Sequence, residues 1–326
     1  MTLNGVDRKV LVTGGGGFIG SRLVQALLRK GHQVKVLDIQ VGLLKDMTNP
    51  NLELLGISSS DVRGGMIDKG MVKQAVSDVD VVYHLAINWN GHTWRHVLPL
   101  ADLFDANIRG TLNLLEAAKS QGVKHFLFSS SCAVYGESES PNQDEECVCK
   151  PELWKGDPGP AYGILKLTTE KLCLMYNHHH RLPTTAFRIE VVYDDNETLF
   201  LNKDTIDMVT KSKTIKVLEG DGIGTIHVHE VVDAFLTATQ NKRTYGQVFN
   251  LSNPSTYVTY SELYGLIKEA TGSKVQINIT KDPARLGSAP ESTEKIQKIL
   301  GWKPLKTKED IKEAIKKHVH SILNAS

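Results

Sequence analysis

The sequence has no surplus of one charge, no long apolar run and no paired cysteine pattern. Its 38 Lys+Arg against 37 Asp+Glu leave a formal net charge of +1, so electrostatics gives no reason to expect nucleic acid or an anionic membrane as the main partner. No apolar stretch approaches the roughly 18 residues needed to cross a bilayer. Met1 to Val10 carries Asp7, Arg8 and Lys9 and no apolar signal core, so the expectation is a cytoplasmic protein. Cys132, Cys147, Cys149 and Cys173 lack the C-x-x-C spacing of a zinc site. Cys147 and Cys149 are separated by one residue, which would strain a mutual disulfide, so reduced thiols are expected. His178, His179 and His180 are adjacent, and on a helix they point in different directions. No metal is expected. Internal repeats and low-complexity linkers are absent as well.

What is present is ordinary globular material: 326 residues, 40% hydrophobic and 23% charged, enough for one large α/β domain or two medium ones. Short β-branched runs alternate with segments of helical period, which argues for parallel strands joined by crossover helices. Strands are expected at Lys9–Thr13, Gln33–Asp38, Asn51–Ile57, Asp80–Ala86, Lys124–Ser129 and Thr184–Glu190. Helices are expected from Gly17 to Arg29, up to Asp78, after Pro99 and over Tyr162–Tyr176. Beyond Glu190 the segments shorten, with helices at Asp204–Lys211, His229–Gln240, Tyr260–Thr271 and Lys308–Leu323. The expected architecture is a doubly wound parallel sheet over residues 1–190, with 225–245 returning to it. A smaller C-terminal lobe would hold residues 191–224 and 246–326 and bind substrate.

Thr13-Gly14-Gly15-Gly16-Gly17-Phe18-Ile19-Gly20 follows the first strand and opens a helix. Glycines let such a turn close tightly and bring backbone amides against a pyrophosphate, which the positive helix end favours. Asp38 ends the second strand, where a carboxylate accepts hydrogen bonds from an adenosine ribose and repels a 2′-phosphate. No Arg follows within five residues. Strand, turn, helix and acid together point to a dinucleotide, and to NAD over NADP.

Tyr162 and Lys166 stand four residues apart, on one face of a helix. A neighbouring ammonium favours phenolate over phenol, so a lowered Tyr162 pKa is expected, suited to a general base. Upstream, Phe126-Leu127-Phe128-Ser129-Ser130-Ser131 ends a buried strand in hydroxyls, and strand ends beside a nucleotide site are where reactive groups belong in doubly wound sheets.

In order, TGGGGFIG, Asp38, Asp61-Val62, His84-Leu85-Ala86, Asn107-Ile108-Arg109-Gly110-Thr111, SSSCAVYG and Tyr162-Gly163-Ile164-Leu165-Lys166 resemble the extended short-chain dehydrogenase/reductase family. The resemblance is to its NAD-dependent epimerase/dehydratase branch and runs from about Lys9 to Trp302. It implies a Rossmann-type fold in which Gly14, Gly17, Phe18, Ile19 and Gly20 line the pyrophosphate and Asp38 holds the ribose. Asp61 and Val62 would flank the adenine, and Leu85, Ala86, Ile87 and Ser129 would line the cofactor site. Ser131 would orient the substrate oxygen, Tyr162 would be the acid/base, and Lys166 would bind the nicotinamide ribose and tune Tyr162. Asn107 would be structural. The resemblance also implies a homodimer, through helices at Pro99–Gln121 and Tyr162–His180.

Dehydratases of this branch carry an Asp-Glu pair after the catalytic Ser/Thr, and decarboxylases carry the Glu, because elimination needs an acid and a base. Here the two positions are Cys132 and Ala133, which favours 4-epimerisation of a nucleotide sugar through a keto intermediate. Against the nucleotide, the family's R-D-F-x-H-V-x-D appears as Ile223-Gly224-Thr225-Ile226-His227-Val228-His229-Glu230, without its phosphate-clamping arginine. The alternatives are therefore a dehydrogenase of a free sugar, uronate or other secondary alcohol, and an NAD-binding sensor without catalysis. Asn88, Trp89, Trp94 and Arg95, in the loop after the fourth strand, are candidate substrate contacts, with indoles to stack on a sugar ring and Arg95 as an anion partner.

Overall fold

The computed structural model describes residues 8–56, 65–88, 99–137, 143–154, 159–281 and 290–325. The chain opens with β1 (Lys9–Thr13), α1 (Phe18–Arg29), β2 (Gln33–Leu37), β3 (Leu52–Leu55), α2 (Lys69–Val76) and β4 (Val81–His84). It continues through α3 (Leu100–Phe104), a π-turn at Asp105–Arg109, α4 (Gly110–Ser120), β5 (His125–Ser131), α5 (Pro160–His180) and β6 (Thr184–Ile189). Shorter pieces follow: β7 (Val191–Tyr193), α6 (Lys203–Lys211), β8 (Thr214–Leu218), β9 (Gly222–Ile223) and β10 (Thr225–His227). The remainder is α7 (Val228–Ala238), β11 (Gln247–Leu251), β12 (Val258–Thr259), α8 (Tyr260–Thr271), β13 (Gln276–Thr280), α9 (Glu294–Leu300) and α10 (Lys308–Asn324).

Val10, Leu11 and Val12 are buried almost completely, as are Val81, Val82 and Tyr83 and then Phe126 and Leu127. Runs without polar alternation need cover on both faces, and a parallel sheet between helices supplies it. Seven strands form that sheet in the order β3-β2-β1-β4-β5-β6-β11, a Rossmann-like arrangement. Val12 lies opposite Val36 on one side and Tyr83 on the other. The strand order reverses between β1 and β4, and doubly wound sheets bind ligands at such a switch point, beyond the carboxyl ends of the strands. Among the described residues, no helix is long and apolar enough to cross a membrane.

The chain divides into two compact units. One holds Met1–Gly136, Cys149–Arg188 and Val232–Phe249, and the other holds Glu137–Val148, Ile189–Val231 and Asn250–Ser326. The later segment that groups with the first unit is Val232–Phe249, against the expected 225–245. Thr225–His227 is buried, as a sheet strand would be, but it pairs with β7 in a separate two-stranded ribbon. The strand that joins the large sheet is β11. Glu137–Val148 also falls outside the first unit, because the Asn250 N–H donates to Glu145 and its side-chain amide to the Gln143 carbonyl.

The second unit has its own core of Tyr193, Ile206, Val258, Ile267, Ile311 and Ile315. Three of its helices start on side-chain caps: α6 on Asn202, and α8 and α10 on Thr259 and Thr307 in capping boxes with Glu262 and Asp310. Each cap satisfies amides that the first helical turn leaves without partners. Strands β7, β9, β10 and β12 are two or three residues long, too short for a periodic pattern to mark them.

Candidate active site

The glycine turn is shaped by close backbone approaches. Gly14 has φ +71, and a Cβ there would lie 2.7 Å from the Ala86 nitrogen. A Cβ on Gly20 would lie 2.1 Å from the Gly14 carbonyl oxygen, so α1 packs onto the turn only because residue 20 is glycine. Gly17 differs. Among the described residues a Cβ there would meet only the Gly14 oxygen, at 3.3 Å, which leaves room over Gly17 for a ligand. No side chain caps the N-terminus of α1, and its first turn holds no acidic residue. A pyrophosphate fits that combination of open space, helix-end amides and absent negative charge.

Asp38 is anchored to this turn. Its Oδ2 accepts the Gly16 N–H at 2.8 Å, and its Oδ1 accepts the N–H groups of Ile39 and Gln40 at 2.7 and 3.3 Å. The carboxylate is thus fixed beside the glycines and stays partly exposed, as a ribose acceptor must. Gly42, which sequence reasoning passed over, lets the loop after β2 close on the turn: a Cβ there would lie 2.1 Å from the Gly16 oxygen.

At the end of β4 the chain is held by an oriented chain of hydrogen bonds. The Ala86 N–H donates to Thr13 Oγ1 (3.2 Å), which lies 2.8 Å from His84 Nδ1. His84 Nε2 lies 2.8 Å from Thr111 Oγ1, and that hydroxyl donates to the Asn107 carbonyl at 2.6 Å. Thr111 has spent its proton, so Nε2 of His84 is the donor, and with the ring kept neutral by burial Nδ1 accepts from the Thr13 hydroxyl. Burial holds this histidine well below its ordinary value, down to about 3. In the π-turn, Asn107 accepts the Asn88 N–H at 2.8 Å and donates to the Asn88 carbonyl at 3.0 Å. Asn88 is thereby pinned through its backbone. A small cavity lined by Ala86, Ile87, Asn107, Phe128, Lys166 and Thr169 puts the segment after β4 opposite the α5 lysine.

Ser129, Ser131, Tyr162 and Lys166 come together at the carboxyl end of β5. Gly163 lets α5 settle on the turn after Ser131, since a Cβ there would lie 2.5 Å from the Ala133 oxygen. Ser131 accepts the Ala133 N–H at 3.2 Å and hydrogen-bonds Tyr162. Lys166, 4% exposed, donates to the Ser129 carbonyl at 2.6 Å. Its Nζ lies 5.7 Å from the centre of the Tyr162 ring.

The expected lowering of the phenol pKa is not what this geometry produces. Burial pushes Tyr162 up to about 12, against the opposing pull of Ser131, and burial lowers Lys166 to about 7. Desolvation is the leading cause for both groups, and the amine donates its short bond to the Ser129 carbonyl. Burial thus favours the protonated form of the Tyr162 phenol.

Asp61, Val62, Trp89, Trp94 and Arg95 lie outside the described residues. Thr13, Thr111 and Glu170, which touch the site or its supports, carried no isolated signal. Glu170 could have been read from the spacing Tyr162, Lys166, Glu170, which continues one face of α5 by another turn.

The seven-stranded sheet, the glycine turn and the acid at the end of β2 define a Rossmann-type dinucleotide-binding protein. A family model described as NAD dependent epimerase/dehydratase family matches residues 10–252, and the chain belongs to that family, with NAD as its cofactor. It is 28% identical over 327 residues to a UDP-glucose 4-epimerase of Lactobacillus helveticus, covering 91% of this chain and 92% of the relative. It is also 28% identical over 322 residues to UDP-glucuronic acid decarboxylase 4 of Arabidopsis thaliana, covering 92% and 66%. A solved UDP-glucose 4-epimerase from Thermotoga maritima, with UDP-glucose, superposes with a TM-score of 0.72 at 26% identity, over 97% of this chain and 99% of that one. The similar proteins thus include both epimerases and decarboxylases.

Proposed function

We propose that the chain is an NAD-dependent 4-epimerase of a nucleotide sugar. The observation that carries this reading is the grouping of Ser131, Tyr162 and Lys166 at the end of β5, with Cys132 and Ala133 where dehydratases and decarboxylases of the family carry acids. NAD, when bound, takes up and gives back the hydrogen and electron pair of the sugar carbon. Gly14, Gly17 and Gly20 with the amides of α1 would hold its pyrophosphate. Asp38 would hold the ribose, and Leu85, Ala86, Ile87 and Ser129 would flank the rest.

The roles of the chain's own groups follow from their protonation. Tyr162, protonated at rest, is the acid that donates to the keto oxygen when the sugar is restored. It becomes the base for the sugar hydroxyl when Lys166 carries its positive charge, since a nearby cation stabilises phenolate. Ser131 hydrogen-bonds the same oxygen and fixes its place against the phenol. Cys132 and Ala133 supply no carboxylate to remove a further proton or to expel a hydroxyl. The keto sugar would turn and be reduced on its other face.

A second reading has its own support in the second unit. Ile223 stands where the resemblance puts a phosphate-clamping arginine, and it packs against the apolar core there. That favours a substrate without a diphosphate, oxidised in a net dehydrogenase reaction. A panel of nucleotide sugars and free uronates, followed by product analysis and by reduced-nicotinamide absorbance, separates the readings. The epimerase reading expects sugar interconversion with no net absorbance change. A steady rise with a free sugar or uronate would replace it by the dehydrogenase, and NAD binding without turnover of any kind would leave a sensor.

A further inference from the structure

Helix α5 carries a third polar side chain on the face that bears Tyr162 and Lys166. Glu170, two turns beyond Tyr162, is fully buried, and Arg188 on β6 is 2% exposed. Arg188 grips it with two bonds, Nε to Oε2 at 3.0 Å and Nη2 to Oε1 at 2.8 Å. The Ser130 hydroxyl on β5 adds a third, to Oε2 at 2.8 Å. Arg188 also donates through Nη1 to the Tyr135 hydroxyl at 2.9 Å, and its carbonyl accepts the Cys132 thiol at 3.3 Å. One arginine thus ties α5, the end of β5 and the turn after it into a single unit.

We propose that Glu170 and Arg188 are a positioning pair for the Tyr162–Lys166 couple: their fork-to-fork ion pair sets the rotation of α5 against β5 and β6, and so decides where the amine and the phenol stand. This rests on the epimerase reading for its catalytic consequence, but not for its structural one. Apolar contacts hold a buried helix by shape but do not by themselves fix the direction of its polar groups. A bidentate guanidinium–carboxylate pair is directional and cannot follow such a rotation. Ser129 and Ser130 are consecutive on β5, and they bind Lys166 and Glu170 respectively. The lysine and its anchor are therefore read off the same strand, one helical turn apart. Neither Glu170 nor Arg188 touches reacting atoms. Both act through Lys166.

The test uses the full chain in the variants Glu170→Gln, Ser130→Ala and Arg188→Lys, with Tyr176→Phe as a control. Glutamine keeps the size of Glu170 but turns one acceptor into a donor facing Arg188 or Ser130, which breaks the fork. Ser130→Ala removes one of the three bonds and leaves the ion pair. Arg188→Lys keeps the charge and loses the planar geometry. The control removes a bond from the same helix, Tyr176 to Glu116 on α4, far along α5 from the lysine.

Lys166 is followed by ¹⁵N-lysine NMR without cofactor, beside melting temperature and steady-state kinetics. The expected result is a Lys166 midpoint near 7 in the wild type, displaced upward in Glu170→Gln as Nζ leaves the Ser129 carbonyl for water. In that variant kcat falls about 10²-fold, with KM little changed, as expected for a misplacement of about an ångström. Ser130→Ala shifts both in the same direction by less, Arg188→Lys does not rescue, and Tyr176→Phe moves only the melting temperature. The proposal is overturned if Glu170→Gln and Ser130→Ala lower the melting temperature while the Lys166 midpoint stays in place, or if Arg188→Lys behaves as wild type. Should Glu170→Gln fail to fold, Ser130→Ala decides on the same readouts. If the wild type turns over no nucleotide sugar, the epimerase reading fails while the NMR midpoint still judges the pair.

Discussion

Arg188 and Glu190 are two residues apart, and the two units bury them on opposite terms. In the first unit Arg188 and Glu170 neutralise one another, and each side chain is bonded on more than one side. In the second unit Glu190 faces another carboxylate. Its Oε1 accepts the Glu291 N–H at 3.4 Å, its Oε2 and that of Glu291 are shielded from solvent, and the Glu291 carboxyl and the Ser252 hydroxyl lie within hydrogen-bonding reach of its carboxyl. Burial and the Glu291 charge push the Glu190 carboxyl well above its usual range. Its side chain fills the space over Gly224, where a Cβ would lie 1.8 Å from Oε1. That is the position at which the family pattern has its aspartate. A buried charge is stabilised in one unit by its partner and disfavoured in the other by burial and a second carboxylate, so the units should respond oppositely to losing one.

The largest expected effect breaks the first half of that contrast. Arg188→Met leaves the Glu170 carboxylate buried without a counter-charge and should cost about 3–5 kcal/mol, read from denaturant midpoints. A smaller loss tolerated without a change in slope would mean that the pair is not buried as described.

Acid sharpens the contrast next. His84 and His125 are buried neutral in the first unit, both lowered to about 3 from 6.5. Below about pH 6.5 the unfolded chain takes up protons that the folded one refuses. Stability is therefore full above that pH and lost as pH falls toward 3, by up to about 1.4 kcal/mol per unit for each histidine. Unfolding free energies from pH 7 to 4 check this, and a flat profile would contradict it.

The smallest effect has the opposite sign. Glu190 binds its proton more tightly folded than unfolded, so its contribution is full in acid and is lost as pH rises through its raised folded value. Glu190→Gln should leave stability almost unchanged at pH 5 and raise it modestly at pH 8. A destabilised variant at pH 8 would show that the ionised carboxylate has a cation partner after all.

The same division governs what could be read from residues alone. The first unit is legible because its motifs are local: four glycines and an acid at the end of the next strand act through backbone geometry that neighbouring residues dictate. The long buried strands and α5 also exceed the length at which periodicity speaks. The supports of the site were not legible. The Thr13–His84–Thr111 chain joins residues 71 and 27 positions apart, and Glu170 meets Arg188 only once β6 lies beside β5. The protonation of the Tyr162–Lys166 couple was misjudged for the same reason: spacing reports that two groups are near, and burial decides which form survives. In the second unit, ribbons of two or three residues carry no period, and the segment expected to rejoin the sheet yielded that place to β11.

The central claim is that Tyr162 exchanges the proton at a site built to hold NAD. The most direct measurement is the Tyr162→Phe variant, assayed for NAD affinity by calorimetry and for turnover of whichever sugar the wild type accepts. The account predicts an NAD dissociation constant within about twofold of wild type, since glycine turn and Asp38 are untouched, and turnover reduced by at least about 10²-fold. Turnover that survives the loss of the phenol would contradict it.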